Sequence, residues 1–383
     1  MSPEDRAPGG TVLVPGPVRI IGTGLIGGSL GLALSAAGVD VVVQDVSPGT
    51  QALAVEMGVG RAPRPGDPDP ALVLVAAPPD VAAQLAVEAL ARWPRAIVAD
   101  VASVKTTVLA GIVAARRAGD LDEDALARYV GTHPMAGREV AGVIASRGDL
   151  FQGRPFVVVP HGSTRPEARS ILRALAVELG SVPVEMDAAT HDAAVALVSH
   201  VPQIMSSLLA ATLVDGPEQA LGLAGQGLRD TTRIAASDPR LWVEILGANA
   251  AAIGPVLRDV RERLEAVLQA LSSLEGDPDP GVGSRRALAG LIADGNRGVQ
   301  RIPGKHGGAG DAFTTIVVLV PDRPGHLARL LTEIGQIGVN LEDLHLEHTL
   351  GKKVGLAHVS IERAHESLLT QALRERGWTV AES

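Results

Sequence analysis

Short, mostly apolar runs recur along the first half of the chain, most of them followed by a turn and then by apolar residues at helical spacing. VRIIGTGLIGGSLGLALSAAG opens the series as strand, glycine turn and apolar helix, closed by Gly38, and VDVVVQD follows as a second strand. LVLVAAPP (72–79), RAIVADV (95–101) and ARYVGTH, which ends on His133, continue it. PFVVVP and VPVEM add two last strands near 155–160 and 182–186, with the helix RPEARSILRALAVELG between them. Runs this apolar are buried on both faces, so their alternation with helices predicts a parallel sheet covered on both sides. Residues 1–17, rich in Gly and Pro, read as a tail, which places the α/β domain at 18–186.

Beyond Met186 the texture changes. Residues 187–296 are rich in Ala and Leu at helical spacing, with few strand signals, and predict an all-α domain. GDPDPGVGS interrupts it, and one more helix follows at about 284–295. Residues 297–312, glycine-rich and basic, read as a linker. Residues 313–383 read as a separate βαββαβ unit. TTIVVLV is its first strand, and Leu327, Leu330, Leu331, Ile334 and Ile337 share one face of the helix after it. Two alternating strands joined at Leu350-Gly351, a second helix and the short strand WTVA complete it.

A chain of 383 residues suits two or three such domains. It is 46% hydrophobic but only 2% aromatic, so Ala, Val and Leu must fill the core. The formal charge of −9 argues against nucleic acid as a partner, because that binding rests on Lys and Arg neutralising phosphates. A small anionic substrate needs only a few placed arginines and stays open. The absence of cysteine excludes disulfides, thiolate catalysis and Cys-type zinc sites, and fits the cytoplasm. MSPEDRAPGG has no apolar core of the kind a signal peptide carries. No apolar run approaches the ~18–20 charge-free residues of a membrane span.

The chemistry starts at GTGLIGGSLG. Gly22, Gly24 and Gly27 fall in G-x-G-x-x-G order, with Leu25 and Ile26 between the last two, directly after a strand and at the opening of a helix. The first glycine permits the turn, the second lets backbone approach a pyrophosphate, and the third lets helix and strand pack closely. The next strand ends in Asp45, where an acid binds the ribose hydroxyls and repels a 2′-phosphate, which favours NAD over NADP. A glycine-rich turn without any dinucleotide is the bland alternative.

Further candidates follow the later strands. Ser103 in ASVK stands past the fourth, placed either to reach ligand or to cap the next helix, and Lys105 stands ready for an anion. His133 in GTHPMAG is held between glycine and proline at the same sheet edge, where a neutral imidazole can accept a hydroxyl proton as hydride leaves the same carbon. A turn histidine with a structural hydrogen bond is the alternative. His191 and His200 lie nine residues apart, on opposite sides of a straight helix, so they cannot share a metal. Pro202 should kink that helix, which favours His200, while His191 near the helix start reads as solvated. Arg233 can grip a carboxylate, or pair with Asp230 on the surface.

Taken in order, GTGLIGGSLG, Asp45, ASVK, GTHPMAGRE, HDAAVALVSHVPQ and RDTTRIAASDPRLW resemble the bacterial prephenate dehydrogenase family over roughly residues 18–296. VPDRPGHLARLLTEIGQIGVNLEDLHLEH resembles an ACT domain. The resemblance implies a Rossmann-type α/β domain, an all-α dimerisation domain and a C-terminal ferredoxin-like module. It implies NAD+-dependent oxidative decarboxylation of prephenate to 4-hydroxyphenylpyruvate by a homodimer, with no metal. His133 would accept the proton of the ring 4-hydroxyl, and Ser103 would hydrogen-bond both His133 and substrate. His200 would position substrate, Arg233 would bind its carboxylate, Asp230 and Glu139 would gate the site, and Trp242 would line it. In the ACT-like unit, Asp322, Gly325 and Asn340 would hold an amino acid, with tyrosine the obvious effector. Arg138 departs from the family pattern, in which the residue after HPMAG is often small or hydroxylated.

Three rivals remain. A β-hydroxyacid dehydrogenase needs a lysine on the helical domain, and no lysine lies between Lys105 and Lys305. A non-catalytic sensor of NAD and amino acids would not need Ser103, His133, His200 and Arg233 together. Arogenate dehydrogenase would use the same scaffold on the amino analogue of prephenate.

Overall fold

A computed structural model describes residues 13–138, 140–276, 282–302, 313–348 and 354–381. Two compact units divide at 259/260.

The first unit is built on a seven-stranded sheet. Its strands are β1 (Val18–Ile21), β2 (Val41–Gln44), β3 (Leu72–Val75), β4 (Ile97–Asp100), β5 (Tyr129–Pro134), β6 (Pro155–Val159) and β7 (Val182–Glu185), in the order β2-β1-β3-β4-β5-β6-β7. Helices α1 (Leu25–Ala36), α2 (Pro48–Glu56), α3 (Pro79–Arg92), α4 (Thr106–Ala118), α5 (Glu123–Ala127) and α6 (Pro166–Glu178) connect them. Alternation along each strand feeds two cores. Leu72 and Leu74 face one side, with Leu30 and Leu34 of α1 and Leu172 and Leu175 of α6. Val73 and Val75 face the other, with Ala82 and Ala86 of α3 and Val108 and Ile112 of α4. Period-two strands buried on both faces are what such runs must become.

The sheet is mixed rather than all parallel. β1 to β5 run parallel, but β6 pairs antiparallel with β5, and β7 follows β6. A parallel successor needs a crossover helix back to the far edge. Here the link from β5 to β6 contains only a 3₁₀ turn (Val143–Ala145), tied to α1 by Ser146 Oγ on the Leu25 carbonyl (3.2 Å) and Arg147 N on Ser29 Oγ (3.0 Å). The segment before β1 is also more than a tail, because Val14 is buried in the sheet core.

The helical part starts with α7 (Ala188–Val195), a π-helical turn (Ala196–His200) and α8 (Val201–Ala211). The π turn answers Pro202: the chain absorbs the lost amide bond by widening one turn directly ahead of the proline. Helices α9 (Glu218–Leu221), α10 (Gln226–Thr232), α11 (Pro239–Ala248) and α12 (Ala250–Gly276) follow. Among the described residues, 188–211 alone is long and apolar enough to cross a membrane, which contradicts the expectation that no run reaches that length. Its buried residues include His191, Asp192 and His200, and Asp192 bonds to α4.

The second unit contains α13 (Val282–Gln300), which is longer than expected and takes in the first residues assigned to a linker. A four-stranded antiparallel sheet follows, of β8 (Phe313–Pro321), β9 (Asp343–His348), β10 (Val354–Glu362) and β11 (Thr379–Val380) in the order β11-β8-β10-β9. With α14 (His326–Ile337) and α15 (Glu366–Glu375) the succession is βαββαβ around its own core. Leu330 and Ile334 of α14 are buried in it, whereas Leu331 faces outward. The Leu350-Gly351 junction lies outside the described residues.

Candidate active site

The chain leaves β1 towards β2 on one side and reaches β3 on the other. That reversal opens a crevice at the carboxyl ends of β1 and β3, where open α/β sheets bind ligands. Gly22 closes β1 with φ +96°, and a Cβ on it would stand 2.3 Å from the Ala76 carbonyl oxygen. A Cβ on Gly27 would stand 2.0 Å from the Gly22 carbonyl oxygen. These two glycines serve packing. Gly24 differs, since a Cβ there would meet nothing within 4 Å. Gly24 caps α1 without a side-chain bond, and the first turn of α1 holds no acid. Uncapped amides beside open space are what a pyrophosphate requires, so this turn fits a dinucleotide. Leu25 and Ile26, half-buried, pack onto the sheet core. Asp45 accepts the Thr23 amide (2.7 Å) and hydroxyl (2.8 Å) on one oxygen and the Ser47 amide (2.9 Å) on the other. It braces the glycine turn and keeps about one of a carboxylate's four lone-pair positions for a ligand.

His133, at the end of β5, does not bond to Ser103. Its Nδ1 lies 2.9 Å from His191 Nε2, and His191 Nδ1 lies 2.8 Å from Asp192 Oδ1. A carboxylate only accepts, so His191 carries its proton on Nδ1 and offers the Nε2 lone pair to the His133 Nδ1–H. In the neutral pair the free lone pair of His133 is therefore on Nε2. Burial, and then the neighbouring His191, Lys105 and His200, hold His133 well below the usual imidazole range, against the opposing pull of Asp192. Asp192 also accepts the amides of Lys105 and Thr106 (both 2.8 Å), and so caps α4. These bonds outweigh its burial and lower its carboxyl to about 2.

His191 is thus buried rather than solvated. His200 is buried near it, and the Asn249 side-chain amide donates to both the Asp192 carbonyl (2.9 Å) and His200 Nδ1 (3.0 Å). That leaves the proton of neutral His200 on Nε2, the reverse of His133. Burial lowers His200 to about 4. Trp242 meets His200 edge-on, with ring centroids 6.1 Å apart.

Ser103 sits half-buried in the turn between β4 and α4, and Asp192 rather than Ser103 caps α4. Lys105 is not poised for a ligand anion. It is fully buried, paired with Asp100, and donates to the Thr132 carbonyl (2.7 Å) just ahead of His133. The Tyr129 hydroxyl donates to the other Asp100 oxygen (2.6 Å), and burial beside that carboxylate pushes the phenol well up.

Arg233 and Asp230 are exposed at the end of α10 and in the 3₁₀ turn after it, and Asp230 accepts from Gln226 (2.8 Å). Arg138 turns onto the Ala145 carbonyl (3.0 Å), bracing the loop after β5. Glu139 lies outside the described residues. In the second unit, Asp322 is exposed after β8, Gly325 begins α14 with φ +85°, and Asn340 donates to Glu342 (2.9 Å).

Sequence reasoning missed Asp192 and Asn249 and misread His191 and Lys105. The usable signal was the adjacent His-Asp pair one turn into a helix, ahead of a proline that forces a wider turn.

Comparisons with known proteins place the chain in a family. The model of the prephenate dehydrogenase nucleotide-binding domain matches residues 30–185, starting just after the glycine turn, and that of the prephenate dehydrogenase dimerization domain matches 187–279. The chain is 34% identical over 362 residues to "Probable prephenate dehydrogenase NovF" of Streptomyces niveus, covering 94% of this chain and 98% of the relative. It is 32% identical to the cyclohexadienyl dehydrogenase of Zymomonas mobilis, covering 68% and 90%. A prephenate dehydrogenase from A. aeolicus, solved with hydroxyphenyl propionate and NAD+, shares the fold at a TM-score of 0.62 and 24% identity, over 74% of this chain and 96% of that one. With two domain models spanning most of the first unit and a relative aligned almost end to end, the chain belongs to the prephenate dehydrogenase family.

Proposed function

We propose that the chain oxidises prephenate to 4-hydroxyphenylpyruvate and CO2, with NAD+ as hydride acceptor. The observation that carries this reading is the free Nε2 lone pair of His133, fixed by His191 and Asp192 at the ligand edge of the sheet. NAD+ bound along the glycine turn would take hydride from ring C4. His133 Nε2 accepts the proton of the 4-hydroxyl, and the imidazolium formed is steadied through His191 by Asp192. The C–C bond to the ring carboxylate breaks, its electron pair aromatises the ring, CO2 leaves, and the phenolate oxygen takes its proton back from the His133 imidazolium. His200 offers an Nε2–H to substrate, Trp242 bounds the site and Ser103 approaches the reacting hydroxyl. Arg233 takes a substrate carboxylate, gated with Asp230 and Glu139. Arg233→Ala therefore raises KM far more than it lowers kcat.

The test is NADH formation by the purified chain with prephenate or arogenate, each with NAD+ or NADP+. Turnover of prephenate with NAD+ is expected, and no turnover of either substrate overturns the reading. Arogenate is the less favoured substrate, given relatives named for prephenate.

The helical domain, 187–296, forms a homodimer. Leu197, Val198, Leu208 and Val243 are exposed on it, and a second copy would cover such a face. The C-terminal unit, 313–383, is an ACT-like module that senses an amino acid, tyrosine first among candidates, near Asp322, Gly325 and Asn340. Its βαββαβ order and antiparallel sheet support that. A rise in the melting temperature of the full chain with tyrosine, lost in Asn340→Ala, tests it.

A further inference from the structure

A groove of about 690 Å³ opens beside β2, on the α3 side of the sheet and away from the histidines. Arg19 of β1 lies in its wall and is 8% exposed. Among the described residues its guanidinium bonds only from Nη1 to the neutral Gln44 side chain (3.0 Å), and its buried Nε has no partner. Its guanidinium lies 5.0 Å from the Trp93 ring centre, and Arg92 lies at the same distance from that ring. Arg64 and Arg92, both exposed, add two more guanidinium groups at the rim. Among the described residues no carboxylate bonds to any of the three.

The groove also holds three acids, and each is engaged elsewhere. Asp67 takes Arg61 (2.8 and 2.9 Å) and the Arg64 amide (2.7 Å), Asp69 pairs with Arg95 (3.6 Å), and Asp45 holds Thr23 and Ser47. A buried guanidinium with one neutral acceptor is a charge without its counter-ion. Burial and the nearby Arg92 accordingly lower Arg19, with Asp67 opposing.

We propose that this groove is a phosphate site, with Arg19 at its floor and Arg64 and Arg92 at its rim. Planar forks of donors suit the oxygens of a phosphomonoester, and the volume admits the organic group that carries it. Because Asp45 in the same wall repels a 2′-phosphate, the phosphate belongs to a free phosphorylated metabolite rather than to a dinucleotide. The site does not rest on the cofactor reading above, since NAD+ carries no 2′-phosphate.

The test is the melting temperature of the full chain titrated with inorganic phosphate, chloride holding ionic strength constant. A saturable rise is expected in the native chain, with Arg19→Gln raising the half-saturating concentration at least roughly tenfold, as loss of charge-assisted bonds implies. No saturable rise, or an equal one in Arg19→Gln, overturns the proposal. If Arg19→Gln does not fold, the double variant Arg64→Gln/Arg92→Gln decides, since both side chains are exposed. It must weaken the response several-fold, and an unchanged response overturns the site. Repeating the titration with saturating NAD+ tests the source. A phosphate response that survives saturating NAD+ is expected; one that NAD+ abolishes overturns the proposal, because the phosphate then occupies the dinucleotide site. None of these readouts needs turnover, so they fail independently of the proposed activity.

Discussion

His133 Nδ1 and His191 Nε2 are 2.9 Å apart, and the residue after His191 supplies the carboxylate that orients it. The base and its orienting pair come from different parts of the first unit, β5 and α7, so the free lone pair on His133 depends on their contact. His191→Asn and Asp192→Asn should each lower kcat by roughly 10–100-fold, short of the 10²–10⁴ that a whole general base contributes. NAD+ affinity should stay near normal. Native-like kcat in both variants, measured by steady-state kinetics, would remove the pair from the mechanism.

His133→Asn should remove most of kcat, by about 10²–10⁴-fold, because the substrate hydroxyl then loses the imidazole that takes its proton. Binding of NAD+, followed by fluorescence quenching, should be unaffected. Near-normal turnover would reassign the base.

Much of this arrangement was legible in the sequence. The seven strand runs were plain because each is mostly apolar, although Arg19, Asp100, His133 and Glu185 interrupt the pattern. The direction of β6 was not, since periodicity carries no polarity and only the helix-free link after β5 reveals the reversal. His191 was misread because nine residues of straight helix would set it opposite His200. The π turn before Pro202 removes that premise. Lys105 stood out by scarcity, but nothing in ASVK says that its ammonium is buried against Asp100, five residues back.

That buried pair makes its own prediction. Lys105→Met leaves the Asp100 carboxylate in the core without its cation, a change that costs about 3–5 kcal/mol. The double variant Lys105→Met/Asp100→Asn should recover part of that loss. Urea denaturation measures both, and a Lys105→Met chain as stable as the native one would contradict the pairing.

The glycines of the turn separate by role. Gly27→Ala drives a Cβ to within 2.0 Å of a backbone oxygen and should cost at least about 1–3 kcal/mol of stability. Gly24→Ala meets open space at φ −69°, so the fold should be unharmed. The added methyl projects towards the ligand, and NAD+ should bind about tenfold more weakly, a difference of about 1.4 kcal/mol. Calorimetric titration checks the second outcome and thermal melting the first; unchanged NAD+ affinity in Gly24→Ala would move the pyrophosphate elsewhere.

The pH response follows from the same cluster. His133 and His200 are both lowered from the imidazole value of 6.5, by burial first; His191, Lys105 and His200 add to it at His133 and His191 at His200, while Asp192 pulls both the other way. Above pH 6.5 both are neutral in the folded and unfolded chains and contribute no slope. As the pH falls below 6.5 the unfolded chain takes up protons first, so stability declines by up to about 1.4 kcal/mol per pH unit for each histidine. For His200 the decline continues to about pH 4, where the folded chain protonates too. Asp192, lowered to about 2, adds a further loss only below its unfolded value of 3.8. Catalysis should respond differently. The base stays unprotonated well below pH 6.5, so the acid limb of kcat/KM should lie under that value rather than at it. Chemical denaturation and initial rates across pH 4–8 test both, and His133→Asn and His200→Asn should each flatten part of the stability slope. An acid limb at 6.5 or above would mean that His133 titrates as an exposed imidazole and does not hold the buried neutral state its neighbours impose.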